Sequence, residues 1–182
     1  VNALHVKTVL AGGDDSNTGY SSDDALATIG HAIYLSTVGD TIIIHPGTFY
    51  ENISLDKDLV IGSLLLFSDN ESYIENTIIN GNAMDRVVTM DDVSNETVLF
   101  GLSIVNGYTI NDGGGIKLIN SSPILEKLII SGNKSGIKGG GIYAYNSDPT
   151  LHHVTITGNS ANAGGGIYGI TDVDIAMDNS II

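Results

Sequence analysis

Two successive stretches of sequence decide the fold. Residues 113–138 read GGGIKLINSSPILEKLIISGNKSGIK, and residues 139–163 read GGGIYAYNSDPTLHHVTITGNSANA. The glycine triplets that open them begin at Gly113 and Gly139, and a third triplet begins at Gly164. Identical residues also recur at the same shift, among them Leu125 with Leu151. A regular period of this size indicates a repeat architecture.

Each repeat is built from short apolar segments. Segments such as 116–119, 124–130 and 142–145 are separated by Gly, Asn, Ser and Pro, which is typical of strands bounded by turns. One period leaves no room for a helix beside these strands, and a propeller blade needs about 40 residues. We therefore predict an all-β fold, a right-handed parallel β-helix (a solenoid with about 26 residues per coil) of roughly five to six coils from Thr41 onward, stacked about 4.8 Å apart.

Stacking gives a meaning to the recurring asparagines and glycines. Like side chains lie above one another in a solenoid, so amides can donate and accept along a column. We predict a structural ladder of four asparagines that follow one another at nearly the repeat spacing: Asn80, Asn106, Asn133 and Asn159. The triplets are predicted to form bends that have no room for a Cβ, or to floor a shallow groove. They are Gly113, Gly114, Gly115, Gly139, Gly140, Gly141, Gly164, Gly165 and Gly166.

The two ends of the chain differ. Ser and Asp residues precede Leu26, Ile29 and Ile33, which recur at helical spacing, so we predict a capping helix over 23–38. Residues 1–182 are then one domain, with an N-terminal strand and capping helix in 1–40 and the coils in 41–182. No cap is visible at the C-terminal end, so we expect the parent protein to be longer. We also expect its open edge to favour end-to-end self-association.

Composition excludes several classes of partner. Seven basic and 21 acidic residues give a net charge of −14, which opposes binding to nucleic acid. The chain has no cysteine, so it has neither disulfides nor a cysteine metal site. No apolar run approaches the roughly 18 to 20 residues of a membrane span, so we predict no membrane insertion.

Residues 39–53, GDTIIIHPGTFYENI, resemble the first-coil sequence of the pectin-lyase-like superfamily. The repeats GGGI-x-x-x-x-NS-x-P and I-S/T-G-N resemble the β-helix regions of large bacterial surface and secreted proteins. The resemblance implies a parallel β-helix and a secreted or cell-surface location. It says little about activity, because the superfamily holds lyases, hydrolases, adhesins and inert spacers.

Catalytic residues of that superfamily are hard to find here. Lyases of the pectate-lyase type use Arg or Lys as the base beside calcium-binding carboxylates. The only arginine of this chain is Arg86, and a surface ion pair with Asp85 would account for its presence equally well. Polygalacturonase-like members use several Asp and an Arg-x-Lys motif. That motif is absent here, and the adjacent Asp91 and Asp92 should point to opposite faces. We predict no catalytic residue.

Metal sites have equally few candidates. His152 and His153 are adjacent, so on a strand they should diverge. Asp14, Asp15 and Asn17 offer oxygen ligands that calcium prefers, although turns made by these side chains explain them equally well. Calcium is the one cofactor that this pattern suggests.

Two functions of different classes follow. The first is a non-catalytic extracellular module, namely a rigid spacer, adhesin or assembly subunit whose outer faces bind polysaccharide, another glycan or neighbouring protein chains. The second is a polysaccharide lyase or glycoside hydrolase whose active site is incomplete in this fragment. The scarcity of Arg and Lys in the repeats favours the first.

Overall fold

The structure, a computed structural model, describes residues 2–182. It has nineteen described strands: β1 (Ala3–Val6), β2 (Thr41–Ile44), β3 (Gly47–Phe49), β4 (Ile53–Leu55), β5 (Val60–Ser63), β6 (Thr77–Asn80), β7 (Val88–Asp91), β8 (Val98–Phe100), β9 (Ser103–Val105), β10 (Tyr108–Thr109), β11 (Ile116–Ile119), β12 (Ile124–Glu126), β13 (Ile129–Ser131), β14 (Lys134–Ser135), β15 (Ile142–Tyr145), β16 (Thr150–His152), β17 (Thr155–Thr157), β18 (Ile167–Ile170) and β19 (Ala176–Asp178). The helices are α1 (Ile29–Leu35) and α2 (Ser72–Asn76), and three 3-10 segments are Val9–Ala11, Ser22–Asp24 and Leu64–Phe67.

The strands form four parallel sheets that run along the solenoid. Sheet 1 has the order β1-β2-β5-β8-β12-β16-β19, and sheet 2 has the order β3-β6-β9-β13-β17. Sheet 3 has the order β4-β7-β11-β15-β18, and the short sheet 4 pairs β10 with β14. One turn visits sheets 1, 2, 4 and 3 in that order, as β12 to β15 do. The predicted all-β parallel solenoid is confirmed, and the five strands of sheets 2 and 3 correspond to five turns.

Turn length differs between the two halves of the chain. In sheet 1, Leu125 aligns with Leu151, so this turn has the predicted length. Earlier in the same sheet, Ile61 pairs with Ile42 on one side and with Leu99 on the other, so a short turn is followed by a long one. The long turn carries α2 and the 3-10 segment before it as an insertion. The sequence repeat is therefore visible only where successive turns have equal length.

Single residues in the left-handed conformation bend the chain at the corners. Asparagine and glycine adopt this conformation at the lowest cost, which explains their recurrence at turn spacing. Four columns of such residues run along the solenoid: Gly101, Lys127, His153 and Asn179; Asn106, Gly132 and Gly158; Gly113, Gly139 and Gly164; and Asp92, Asn120 and Asn146. In the last column the Asn146 amide donates to Asn120 Oδ1 (2.9 Å).

Inward side chains form apolar columns that hold the turns together. Leu99, Leu125 and Leu151 align in sheet 1, and all three are fully buried. Ile104 and Ile130 form the equivalent column in sheet 2. Burying one such side chain stabilises the fold by about 1.5–3 kcal/mol, so each added turn contributes its own part of a continuous core.

The N-terminal cap contains a shorter helix than predicted. Helix α1 covers Ile29–Leu35 and not 23–38, because Leu26 is extended. The Leu26 N–H donates to the His5 carbonyl oxygen, and the Leu26 carbonyl oxygen accepts from the Lys7 N–H (2.9 Å each). These bonds to β1 and to the residue that follows it hold Leu26 in a strand-like conformation. The helix packs against β1, β2 and β4, the first strand of sheet 3. Its N-terminus is fixed by Glu51, whose carboxylate accepts from the N–H groups of residues 29 and 30 at 2.9 and 2.8 Å.

None of the helices within residues 2–182 is long and apolar enough to cross a membrane. At the opposite end of the solenoid from α1, the strands β18 and β19 have no partner on their outer edges among the residues described, and β17 is covered only by a bridge between Thr155 and Ile181. Ile181 and Ile182 lie beside this edge and are 68% and 62% exposed.

Candidate functional site

Asn133 and Asn159 stack inside the solenoid and join three successive turns. The Asn133 side chain is only 1% exposed. Its Nδ2 donates to the Ile104 carbonyl oxygen and to Asn159 Oδ1, both at 3.0 Å. Its Oδ1 accepts from the Gly107 backbone N–H at 2.8 Å. Every polar atom of this buried amide thus has a partner, as a buried amide requires.

Asn80 and Asn106 lie outside this column, so the predicted ladder of four is wrong for these two. Asn80 aligns with Val105 in the paired strands β6 and β9. Asn106 is exposed and occupies a left-handed corner with a φ of 54°. In its turn the position that faces Asn133 belongs to Gly107, which contributes only a backbone N–H. A shift of a single position turns an inward side chain outward, so nearly equal spacings are not equivalent.

The glycine triplets permit close approach between turns. The Gly115 N–H donates to the Gly140 carbonyl oxygen at 3.0 Å. A Cβ added to Gly115 would lie 2.5 Å from the Gly141 carbonyl oxygen and 2.9 Å from Asn133 Nδ2, far inside contact distance. Gly113, the first residue of its triplet, has a φ of 75°, which favours glycine. The triplets therefore make room for the neighbouring turn and for the stacked asparagines.

A shallow groove of about 370 Å³ lies at the corner that follows sheet 2. Sequence reasoning missed it, because its residues come from three turns and from different corner positions. Tyr108 and Lys134 belong to it and are partners in sheet 4. The residues that carry its chemistry are Asn80, Asn82, Asn106, Tyr108, Gly132 and Lys134.

The groove is open because one corner column changes from asparagine to glycine. Asn106 is followed in this column by Gly132 and Gly158, with φ of 66° and 63°. The two later turns therefore carry no side chain at this corner. A Cβ on Gly132 would lie 3.4 Å from Asn106 Oδ1, an ordinary van der Waals distance, so a longer side chain there would extend over the floor of the groove.

Lys134 brings an unpaired positive charge to the groove. Its Nζ lies 5.9 Å from the centroid of the Tyr108 ring, a cation–π contact. No carboxylate of residues 2–182 lies within salt-bridge distance of Nζ, although the chain has 21 acidic residues. The Asn106 side-chain amide is also without a hydrogen bond to any other described residue. Both groups are available to a ligand.

A second depression adjoins the groove, and Tyr108 lines both. It contains Asp85 and Arg86, the pair named above as a lyase candidate. The expected ion pair between them is absent from the described structure, because only the Arg86 backbone N–H donates to Asp85 Oδ1 (2.7 Å). The guanidinium instead turns to Thr109, whose Oγ1 accepts from Nη2 at 3.4 Å.

The residues considered for calcium hold the N-terminal loop. Asp15 Oδ1 accepts from the N–H groups of Ala27 and Thr28 at 2.8 and 2.9 Å. Asp14 Oδ1 accepts from Ser16 N–H (2.8 Å), and Asn17 lies in the same loop with its amide turned to a backbone carbonyl. Within residues 2–182 no group of three or more His, Cys, Asp or Glu side chains is arranged to hold a metal ion. Calcium binding by Asp14, Asp15 and Asn17 stays a prediction.

The strand argument does not apply to the two adjacent histidines or the two adjacent aspartates, because the second residue of each pair lies at a corner and not in a strand. His152 belongs to sheet 1, where its Nδ1 lies 4.0 Å from Asp178 Oδ2, while His153 occupies a left-handed corner. Asp91 ends β7, and Asp92 occupies the corner after it. Neither pair forms a shared site.

One close pair of titratable groups was missed, because its members lie far apart in the sequence. His5 Nδ1 lies 3.0 Å from His45 Nε2, which joins β1 to the residue after β2. Burial, then the nearby His5 and Lys7, lower the pKa of His45 to about 4. Burial and Lys7 also lower the pKa of His5. Both rings are therefore neutral in the folded protein at neutral pH.

Residues 127–145 and 153–170 match the family model described as the Chlamydia polymorphic membrane protein repeat. Each segment begins at a left-handed corner, contains a stacked asparagine and a glycine triplet, and ends at the end of a strand of sheet 3. Together they cover about a fifth of the chain. No curated protein and no solved structure gives a significant match, and the resemblance to the pectin-lyase-like superfamily stays a prediction. Two turns of this parallel solenoid are thus similar to the polymorphic membrane protein repeat of Chlamydia.

Proposed function

We propose that the chain is a rigid, non-catalytic module of a bacterial cell-surface protein, which binds an extracellular ligand along its side wall. The observation that carries this proposal is the groove. Asn106, Tyr108 and Lys134 bring an amide, an aromatic ring and an ammonium group into it, and its lining has no carboxylate. Such a lining can hold a ligand, but it lacks the pair of acid and base groups that hydrolysis needs.

The surface location is supported by the matched repeat, which is named after a membrane protein of Chlamydia. One matched segment, residues 127–145, contains the groove residues Gly132 and Lys134. The solenoid supports a spacer or adhesin role, because parallel sheets that run along its length resist bending and present equivalent corners at each turn. A module of this kind would display the groove at a fixed distance from its anchor.

Two measurements test the proposal. Antibodies against this region should label intact cells, and external protease should remove the label without lysis. The purified chain should release neither reducing nor unsaturated sugars from a panel of polysaccharides. Labelling only after lysis would contradict the surface location, and reproducible release of sugars would contradict the non-catalytic role.

A polysaccharide lyase is the second candidate, because Asp85 and Arg86 line the depression beside the groove. Elimination would use Arg86 as the base. The test is the formation of unsaturated sugar from acidic polysaccharides with and without calcium, for the natural chain and for Arg86→Ala. Formation that is lost in Arg86→Ala would establish the lyase, and no formation in either protein supports the binding module.

A further inference from the structure

We infer that the groove binds a glycan that carries a carboxylate, with Lys134 as the group that contacts the charge and Asn106 and Tyr108 as the groups that hold the sugar ring. This inference rests on the proposed binding function and names its ligand. Sialylated glycans and uronic-acid-containing glycans both carry such a carboxylate.

The neutral groups of the groove suit a sugar better than a peptide. The Asn106 amide offers an oxygen acceptor and two N–H donors, and none of them is used within the described residues. Neighbouring sugar hydroxyls donate and accept in the same way. Tyr108 is 38% exposed, so part of its ring can contact the apolar C–H face of a sugar. The groove is shallow and open, so a sugar chain can lie along it.

The charge of the groove indicates an acidic group on the ligand. Lys134 has no carboxylate partner within residues 2–182, on a chain with a net charge of −14. A hydrogen bond between an ammonium group and a carboxylate is stronger than one between neutral groups, so this contact can supply specificity. The overall negative charge opposes a dense polyanion. The two features together favour a glycan with isolated carboxylates.

The corner column gives the direction of the bound chain. Gly132 lies one turn beyond Asn106 and has no side chain to block the surface. An extended glycan that contacts Asn106 can therefore continue along the solenoid axis over Gly132. Lys134 closely follows Gly132 in the chain and is reached from this track.

The chain provides matched variants for both parts of the inference. Gly132→Asn places a side chain in the groove, and asparagine tolerates the left-handed φ of 66°. Its control is Gly158→Asn, the same change at a φ of 63° in a residue that does not line the groove. For the charge, Lys134→Gln is compared with Lys117→Gln, which alters a lysine beside Tyr143 in sheet 3.

Binding is measured by isothermal titration with sialylated oligosaccharides, with uronic-acid oligosaccharides, and with the neutral counterparts of both. We expect the natural chain to bind at least one acidic series about tenfold more tightly than its neutral counterpart, the size of one charge-assisted contact. Lys134→Gln should remove this preference, and Gly132→Asn should abolish binding of both forms. The Lys117→Gln and Gly158→Asn controls should bind as the natural chain does.

Several results would overturn the inference. They are equal affinity for acidic and neutral glycans, unchanged binding in Gly132→Asn, or no binding to any oligosaccharide of the panel. The folded state of each variant is checked by its circular dichroism and melting temperature, so loss of binding in an unfolded variant is not counted. A failure here leaves the surface location and the lack of catalysis untouched, because cell labelling and sugar release measure those separately.

Discussion

Replacing Asn133 with alanine tests the stacked asparagines. The change removes the hydrogen bonds from Nδ2 to the Ile104 carbonyl and to Asn159 Oδ1, and the bond from the Gly107 N–H to Oδ1. The Gly107 N–H is then left buried without a partner, which costs about 1–3 kcal/mol. With the other lost contacts and the small cavity, we expect the free energy of unfolding to fall by about 3 kcal/mol.

The measurement is urea unfolding followed by circular dichroism, with an unchanged native spectrum required first. The matched control is Asn106→Gly, because Asn106 is exposed, makes no side-chain hydrogen bond to a described residue, and has a left-handed φ that glycine accepts. We expect that change to alter stability by less than about 0.5 kcal/mol. Equal effects of the two substitutions would refute the register described above, and a negligible effect of Asn133→Ala would refute the role of the stacked amides.

Three further predictions concern other parts of the solenoid. Because the pKa of His45 is lowered to about 4, the neutral ring stabilises the fold fully above about pH 6.5 and progressively less toward pH 4. For a partly exposed ring beside His5 we expect the free energy of unfolding to fall by about 1–2 kcal/mol over this range. Urea unfolding at about pH 7 and pH 4.5 should show a smaller fall in His45→Gln. Gly115→Ala should lower the free energy of unfolding by more than about 2 kcal/mol, since its Cβ would lie 2.5 Å from the Gly141 oxygen; an unchanged urea midpoint would contradict this close packing. If the open edge self-associates, sedimentation velocity should show oligomers that Ile181→Lys reduces, and identical monomer profiles would exclude the contact.

The fold could be predicted from the sequence because its signal is periodic. Turns of equal length place Leu125 below Leu151 and repeat the same corner residues, so the period, the strands and the turns appear together in the sequence. The cap was harder to predict. Leu26 has helical spacing to Ile29, but its backbone pairs with β1, and this tertiary contact overrides the local pattern.

The candidate site could not be predicted, because it depends on register at the level of single residues. Asn106 and Asn133 have nearly the turn spacing, yet one faces the groove and the other is buried. The turn from Ile79 to Ile104 is one residue shorter than the turn from Ile104 to Ile130, and this difference shifts the alignment of Asn80 as well. Tyr108 and Lys134 do stand one full repeat apart in the sequence, and this spacing was the available signal. The spacing by itself does not show whether the side chains of Tyr108 and Lys134 face into the solenoid or out of it.

The architecture separates positions that hold the turns together from positions that can vary. The inward column of Gly107, Asn133 and Asn159 is fixed by its hydrogen bonds. The outward columns beside it have only stacking neighbours, so their residues change from turn to turn, as in the series Tyr108, Lys134 and Ser160. A change in an outward column alters the surface of one turn and leaves the core of that turn in place. Ligand specificity in such a solenoid is therefore expected in the corner columns that differ between turns, and the groove at Asn106 lies where two of these columns meet.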